Sequence, residues 1–227
     1  MNIFIAGASR GVGREIAQIL VKHPDRYTVT ALVRSPNPEL EAMGIKVILG
    51  DALDATAVTH AMNAQPVEVV ISTIGGLPKD GVRADYLGNK NLIDAAVQAG
   101  VVGERNRTVE KFILITSLGT GNSAAAIPPP AYETLKPVLL EKEQAENYLI
   151  NSGLKYTIIR PGGLKSEPAT GTAVLTTDHH VAGSIHRADV AALVCRCVNS
   201  AASNGKTLAA FDRTLIYGTP EFTEFIP

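Results

Sequence analysis

The sequence has little cysteine, little net charge and no long apolar run. Its two cysteines, Cys195 and Cys197, are too few and too close together for a disulfide framework, and no second Cys/His pair lies nearby to hold a metal with them. The formal net charge of −1, with no Lys/Arg block, argues against nucleic acid or an anionic membrane as the main partner. No stretch approaches the ~18 apolar residues of a membrane helix, and the N-terminus lacks a secretory signal. We expect a cytoplasmic, metal-free protein that binds a small molecule. Its acidic and basic residues are too evenly mixed to mark an interface, so the sequence leaves the oligomeric state open, with a monomer favoured over an oligomer.

Short apolar segments typical of strands alternate with helical segments along the 227 residues. The strands, such as IFIA and KFILI, are apolar on both faces, which predicts a parallel sheet covered by helices on both sides. The alternation implies right-handed βαβ units, so the predicted fold class is α/β with a doubly wound parallel sheet. The predicted strands are 2–7, 28–34, 46–50, 67–73, 111–117 and 155–160, and the helices between them are 11–22, 38–43, 55–64, 86–99 and 134–152.

The most informative local motif is the glycine-rich segment GASRGVG, residues 7–13, between the first strand and the first helix. Such a turn presents free backbone N–H groups beside the positive end of a helix, and the missing side chains let a pyrophosphate come close. The alternative is a tight turn without a ligand, but the strand before it and the helix after it favour a Rossmann-type dinucleotide site. The candidate cofactor-binding residues here are Gly7, Ser9, Arg10, Gly11 and Val12.

The residue after the second strand indicates which dinucleotide binds. Proteins that bind NAD usually have Asp or Glu there to bond the ribose 2′-hydroxyl, whereas this chain has Arg34 and no adjacent acid. A guanidinium matches a 2′-phosphate, and Arg10 in the glycine turn can reach the same group. The alternative is that both arginines are solvated surface charges. The sequence therefore predicts NADPH/NADP as the cofactor.

Further candidates follow the carboxyl ends of the third and fourth strands, where ligands bind in open parallel sheets. Asp51 either contacts the adenine amino group or serves a turn, and Asp54 is the better candidate for the helix cap. We expect the backbone after the fourth strand to approach the cofactor. The remaining candidates at these strand ends are Ala52, Thr73, Ile74, Gly75 and Gly76.

The pattern changes after Pro161. Residues 162–186 are rich in Gly, Thr, Ser and His and contain one predicted strand, 172–177, followed by a helix at 187–199 and a strand at 207–211. The length suits one domain. We assign residues 1–227 to a single Rossmann-type domain, with a cofactor-binding core at 1–160 and a small C-terminal substrate-side segment at 161–227.

Six segments together resemble the atypical short-chain dehydrogenase/reductases with an NmrA-like NAD(P)H-binding domain. They are GASRGVG (7–13), ALVR (31–34), GDALD (50–54), TSLGTG (116–121), KEQAENYLINSGLKYTIIRPGGL (142–164) and IHRADVA (185–191). Within that family the sequence resembles the biliverdin-IXβ reductases and flavin reductases. Those proteins have a GATGxxG turn, whereas Arg10 and Gly11 here are closer to the turn of ordinary short-chain reductases.

The resemblance implies further site residues. Thr116 and Lys142 would contact the cofactor, with Lys142 on the ribose, and Pro161, Gly162 and Gly163 would pack on the nicotinamide ring and its carboxamide. The glycines of that turn would allow the ring a close approach. The alternatives are a solvated helix lysine at Lys142 and an ordinary turn after the strand.

The proton-donating tyrosine of ordinary family members is missing. Those members use Ser, Tyr and Lys, with Tyr-x-x-x-Lys on the long helix. Ser117 matches the serine and Lys142 the lysine, but Val138 stands four residues before Lys142. Tyr132 is ten residues away, across a segment that we expect to be a loop containing Pro137. Simple ketone reduction therefore lacks its general acid.

Acceptors that delocalise negative charge need no tyrosine, because they can take a proton from solvent after hydride transfer. We therefore predict an NADPH-dependent reductase of a flavin or a biliverdin-type linear tetrapyrrole, although 5% aromatics without Trp leave few rings to stack on it. Ser117, the catalytic candidate, would orient substrate or nicotinamide. Its alternative role is to satisfy nearby backbone.

Two other functions are considered. A non-catalytic NADP(H)-binding sensor or assembly scaffold would also lack the tyrosine. A sugar-nucleotide epimerase or dehydratase is disfavoured, since the chain is short for a sugar-binding domain. We expect His179, His180 and His186 on the surface or in a substrate loop, and residues 79–83 as either a lid or a surface loop.

Overall fold

A computed structural model describes residues 1–75, 82–99 and 109–227. The strands in chain order are β1 (Asn2–Ala6), β2 (Thr28–Val33), β3 (Lys46–Leu49), β4 (Val69–Ser72), β5 (Lys111–Ile115), β6 (Tyr156–Pro161), β7 (Gly163–Lys165), β8 (Ala173–Thr176), β9 (Ser184–His186) and β10 (Lys206–Asp212). The α-helices are α1 (Gly11–Leu20), α2 (Pro38–Ala42), α3 (Ala55–Asn63), α4 (Leu87–Ala99), α5 (Pro129–Ile150) and α6 (Arg187–Val198). Short 3-10 helices span Gly121–Ala126, Ala201–Ser203 and Arg213–Leu215.

The main sheet has the strand order β3-β2-β1-β4-β5-β6-β10-β8. Its neighbouring strands are parallel except for the pair β10 and β8. Each parallel connection passes through a helix, as strands that are apolar on both faces require. The chain order reverses between β1 and β4, so a crevice opens beyond the carboxyl ends of these two strands. The predicted doubly wound α/β fold is confirmed.

Alternate residues of each strand face two separate apolar layers. On β1, Ile3 and Ile5 pack with α1 and α6, whereas Phe4 and Ala6 pack with α3, α4 and α5. Side chains alternate across a strand, so a strand covered on both sides needs an apolar residue at nearly every position. This is why β1 and β5 are apolar at every position after their first residues, Asn2 and Lys111.

Helix α5 begins earlier than predicted. It starts at Pro129 rather than near 134, and it contains both Tyr132 and Pro137, so the expected loop around Pro137 is wrong. Proline fits the first turn of a helix because the N–H groups there have no helical partner. Pro137 removes one hydrogen bond on an exposed stretch of a 22-residue helix, and the helix continues through it.

Much of the segment after Pro161 belongs to the core of the domain. Strands β10 and β8 extend the main sheet, and α6 packs against α1 in the same apolar layer. The three-residue strands β7 and β9 were missed by the sequence prediction, and they form a separate parallel pair. Their Gly- and Ser-containing sequences carry no strand signal, so the pairing arises only when the folded chain brings them together.

The two cysteines and the lengths of the helices relate to what the sequence lacks. Both cysteines are free thiols, and burial raises the pKa of Cys195 to about 12, which leaves that thiol unreactive at neutral pH. None of the helices within 1–75, 82–99 and 109–227 has the length and apolar composition needed to cross a bilayer.

Candidate cofactor and substrate site

The glycine turn lies at the carboxyl end of β1, beside the crevice. Gly7 and Gly11 have φ of 96° and 57°, a region that side chains disfavour. A Cβ on Gly13 would overlap the carbonyl oxygen of Gly7, so this glycine allows α1 to pack closely on β1. Ser9, Arg10 and Gly11 are exposed, whereas Val12 is buried under the helix. A tight turn at Gly7, an approach without a side chain at Gly11 and close packing of the helix at Gly13 are the three features of a turn that binds a dinucleotide pyrophosphate.

Two arginines lie at the same edge of the sheet. Arg34 follows the last residue of β2, which is the parallel neighbour of β1, and Arg10 is the N-cap of α1. Both side chains are exposed, and among the described residues no carboxylate lies within 4 Å of either guanidinium. These two cations are therefore available to an anionic group of a ligand.

The segment after β3 forms a turn and one wall of the crevice. Asp51 accepts a hydrogen bond from Leu53 N at 2.9 Å, so one of its carboxylate oxygens serves the turn. Asp54 accepts from Thr56 N and Ala57 N at 2.9 and 3.1 Å, which confirms it as the cap of α3.

The apolar side of this wall involves Ala52, which is buried. A Cβ on Gly88 would lie 3.3 Å from that of Ala52 and 2.9 Å from the Cδ1 of Ile74, so these residues close the crevice on the side of α4.

The residues after β4 face the glycine turn. The hydroxyl of Thr73 donates to the carbonyls of Ala6 and Gly7 at 3.2 and 3.3 Å, which joins the ends of β1 and β4. Gly75, with φ of 147°, is exposed. Gly76 and most of the proposed lid at 79–83 lie outside the described residues.

Lys142 points from α5 toward this turn. Its Nζ lies 2.7 Å from Oδ1 of Asp85, a residue with no exposed side-chain surface. A Cβ on Gly75 would lie 2.8 Å from the same Nζ. The Lys142 ammonium is therefore held at the carboxyl end of β4 rather than in solvent. The family resemblance implies that it meets the ribose of the cofactor at this position.

Thr116 belongs to a buried polar network that the sequence analysis missed. Its hydroxyl donates to Oε1 of Glu146 at 2.6 Å, and Arg160 binds both oxygens of Glu146 at 3.1 and 2.6 Å. Arg160 also donates to Asn122 at 2.5 Å. The signal available in the sequence was a charged residue, Arg160, inside the otherwise uncharged strand YTIIRP.

The two residues expected to act on the substrate have different surroundings. Ser117 is half-buried at the end of β5, and its hydroxyl donates to the carbonyl of Leu118 at 2.9 Å. Val138 occupies the position four residues before Lys142, and Tyr132 lies near the start of the same helix. At 1.5 Å per residue, Tyr132 is roughly 15 Å along the axis from Lys142.

The turn after β6 has a packing role. Pro161 is the last residue of β6, and the N–H of Gly162 donates to Ala210 at 2.9 Å. A Cβ on Gly162 would overlap the carbonyl oxygen of Gly183, while one on Gly163 would lie 3.0 Å from Oγ of Ser184. These glycines therefore allow the chain before β9 to come close, a reason that the sequence did not reveal.

The three histidines have three different environments. His186 is buried, so its expected surface position is wrong. His180 is exposed and His179 is half-buried, and burial together with the nearby Arg160 guanidinium lowers the pKa of His179. His179 is therefore neutral at physiological pH.

Two acidic residues beside His186 hold the segment 166–172, here called the strap. Asp189 accepts from Thr170 N at 2.8 Å and Gly171 N at 3.0 Å, and Asp212 accepts from the hydroxyls of Thr170 and Thr172. Burial opposes the ionisation of Asp212, but hydrogen bonds from threonine hydroxyls outweigh it and lower its pKa to about 2.

The same cluster has the spacing of a metal site. Nδ1 of His186 and one oxygen each of Asp189 and Asp212 lie within 4.8 Å of one another. Both carboxylates, however, already accept hydrogen bonds from the strap, and these bonds account for their burial without an ion.

Arg187 is a further residue that the sequence analysis missed. It is the first residue of α6, and a Cβ on Gly11 would lie 3.9 Å from its Cδ and Nε. Its guanidinium donates to Oγ of Ser166 in the strap at 2.7 Å. The available signal was the segment IHRADVA, in which this arginine opens the helix.

Comparison with known proteins agrees with this geometry. Residues 7–201 match a family of NAD(P)H-binding domains. The chain is 31% identical over 220 residues to YhfK of Bacillus subtilis, named an uncharacterized sugar epimerase, and the match covers 94% of each protein. It is 26% identical over 238 residues to sanguinarine reductase of Eschscholzia californica, covering 84% of this chain and 81% of that protein.

A solved structure extends the comparison. ChuY from Escherichia coli O157:H7, described as an anaerobilin reductase, has a TM-score of 0.82 to this structure at 31% identity, and the match covers 97% of this chain and all of ChuY. The family match begins in the glycine turn and ends beyond α6, so it includes the whole cofactor edge described above. The chain therefore belongs to the NmrA-like family of NAD(P)H-binding oxidoreductase domains.

Proposed function

We propose that this protein is an NADPH-dependent reductase whose acceptor is a conjugated molecule, either a flavin or a linear tetrapyrrole. The observation that carries the proposal is the pairing of Lys142, held at the cofactor edge by Asp85, with Val138 at the tyrosine position one turn away. A site with the ribose-binding cation but without the general acid suits an acceptor that needs no enzyme-bound proton. The descriptions of ChuY and sanguinarine reductase as reductases support the reaction class.

The residues of the chain would bind, orient and enclose the reactants. When bound, the reduced nicotinamide supplies a hydride, the acceptor gains two electrons and then takes one proton from water. Gly11 and the start of α1 would bind the pyrophosphate, and Lys142 the ribose. Ser117 would turn its hydroxyl from the Leu118 carbonyl toward the acceptor or the carboxamide, which requires only a rotation about its χ1.

Cofactor choice is tested by replacing Arg34 with alanine. We expect NADPH binding to weaken by roughly tenfold to a hundredfold, the loss of one charge-assisted hydrogen bond, while NADH binding changes little. Titration calorimetry with both cofactors measures this. Arg26→Ala, an exposed arginine before the amino end of β2, is the control and should leave both affinities unchanged. Equal losses for the two cofactors would contradict the assignment of Arg34 to a 2′-phosphate.

The acceptor and the proton source are tested together in a turnover assay. NADPH oxidation is followed with FMN, FAD and biliverdin, first for the unmodified protein and then for Tyr132→Phe. We expect at least one acceptor to be reduced, and the variant to retain nearly the full rate because Tyr132 lies far from Lys142 along α5. A loss of about a thousandfold, within the range of general acid catalysis, would show that Tyr132 is the acid.

A protein that binds NADPH tightly but reduces none of these acceptors would favour the non-catalytic sensor or scaffold instead.

A further inference from the structure

The side chain of Arg187 lies where the glycine turn would bind a phosphate, although the two segments are far apart in sequence. Arg187 is 176 positions after Gly11, yet its Cδ and Nε approach the open side of that glycine. Gly11 is the first residue of α1, and Arg187 is the first residue of α6. The N-termini of α1 and α6 are therefore close together, and the Arg187 side chain lies at the open side of Gly11.

The placement is electrostatically unfavourable without a ligand. The N-terminus of a helix carries a partial positive charge, so a cation there is disfavoured, and the first turn of α1 has no acidic residue to offset it, whereas that of α6 has Asp189. Arg10, the residue before Gly11 and the N-cap of α1, is a second exposed cation in the glycine turn. Within the described residues, no carboxylate lies within 4 Å of Arg187, and its recorded hydrogen bond goes to the neutral hydroxyl of Ser166. An anion at Gly11 would convert this repulsion into attraction.

We propose that Arg187 binds the pyrophosphate of the dinucleotide from the side opposite the backbone of the glycine turn. The inference rests on the proposed cofactor site and adds a residue to it. A diphosphate is the ligand chemistry that fits, because it brings two negative charges to free N–H groups, and a guanidinium can bind two of its oxygens at once.

The same arginine links the cofactor to the substrate side. Its guanidinium donates to Ser166 at the start of the strap, and Asp189, two residues later on α6, holds the other end through Thr170 and Gly171. A phosphate that draws in Arg187 would therefore also fix the strap. Cofactor binding should order residues 166–172 before the acceptor enters.

The experiment separates the parts of the cofactor by calorimetry with NADP⁺, NAD⁺, ADP and 2′-AMP. Arg187→Ala should weaken NADP⁺, NAD⁺ and ADP by a similar factor, roughly tenfold to a hundredfold, and leave 2′-AMP, which has no pyrophosphate, within about twofold. Arg196→Ala, an exposed arginine in the last turn of α6, is the matched control and should change none of them. Arg187→Lys should restore part of the affinity.

A second measurement addresses the strap. Hydrogen exchange in residues 166–172 should slow when NADP⁺ binds the unmodified protein, and this protection should be lost in Arg187→Ala even at saturating NADP⁺. Circular dichroism and thermal melting show that the variant is folded.

The outcomes are distinguishable. Unchanged affinity for NADP⁺ and ADP in Arg187→Ala would overturn the inference, as would a loss confined to ligands with a 2′-phosphate. Absence of acceptor reduction, with these binding effects intact, would contradict the proposed reductase and leave the role of Arg187 standing. An unmodified protein that binds neither dinucleotide would overturn both.

Discussion

Replacing Arg160 with methionine should lower the free energy of unfolding by about 3–5 kcal/mol. Arg160 and Glu146 have side chains only 7% and 3% exposed, and their two hydrogen bonds join β6 to α5. Without the guanidinium, the Glu146 carboxylate would stay buried. Among the described residues it would keep the hydrogen bond that the Thr116 hydroxyl donates to it. A buried charge without a counter-charge is the costly state, and urea unfolding at pH 7 measures its cost.

The double variant Glu146→Leu with Arg160→Met is the control. It removes both charges, so it should be clearly more stable than Arg160→Met, because an apolar pair of similar volume replaces a buried ion pair at little net cost. If the single variant were as stable as the unmodified protein, the carboxylate would have found water or another partner, and the network would not hold α5 to the sheet.

The stability difference between the unmodified protein and Lys111→Met should change by about 2 kcal/mol between pH 7.5 and pH 9.5, in favour of the unmodified protein. Lys111 is 5% exposed, and burial lowers its pKa to about 8, below the ordinary value near 10.4. Between these two values the unfolded chain binds the proton that the folded chain has released. Stability from this group therefore rises with pH through that window and is lost as pH falls to 8.

Urea unfolding of both proteins at the two pH values measures the effect, and the titrating groups that do not interact with Lys111 cancel in the difference. Lys111→Met also removes hydrogen bonds to Cys197 O, Ser200 O and Ser203 Oγ at 2.7, 2.8 and 2.7 Å, an approximately constant cost at both pH values. A difference that did not change with pH would mean that these three oxygens keep the ammonium charged in the folded state.

The core strands were predictable because one local pattern encodes both their structure and their burial. After their first residues, Asn2 and Lys111, β1 and β5 are continuously apolar, and such a segment flanked by helical segments predicts a central position in a covered parallel sheet. The glycine turn was predictable for a similar reason, since Gly7, Gly11 and Gly13 each meet a backbone requirement within seven residues of one another.

The early start of α5 shows where local reasoning failed. A run of prolines usually ends a helix, and 127–130 reads IPPP, yet Pro129 opens the helix and Pro137 sits within it. The missing hydrogen bond at Pro137 is tolerated on an exposed stretch of a long helix whose later turns are anchored by Ala145 and Leu149 in the core. Packing outweighed local preference.

From the order of the amino acids follow the α/β class, the alternation of apolar strands with helices, and the residues of the glycine turn, because each depends on neighbours along the chain. The contact of Arg187 with Gly11, the burial of Arg160 against Glu146, and the hold of Asp189 on the strap exist only in the folded chain. Each joins residues from different elements, and no periodicity or short motif encodes the distance between residues that meet only through tertiary packing.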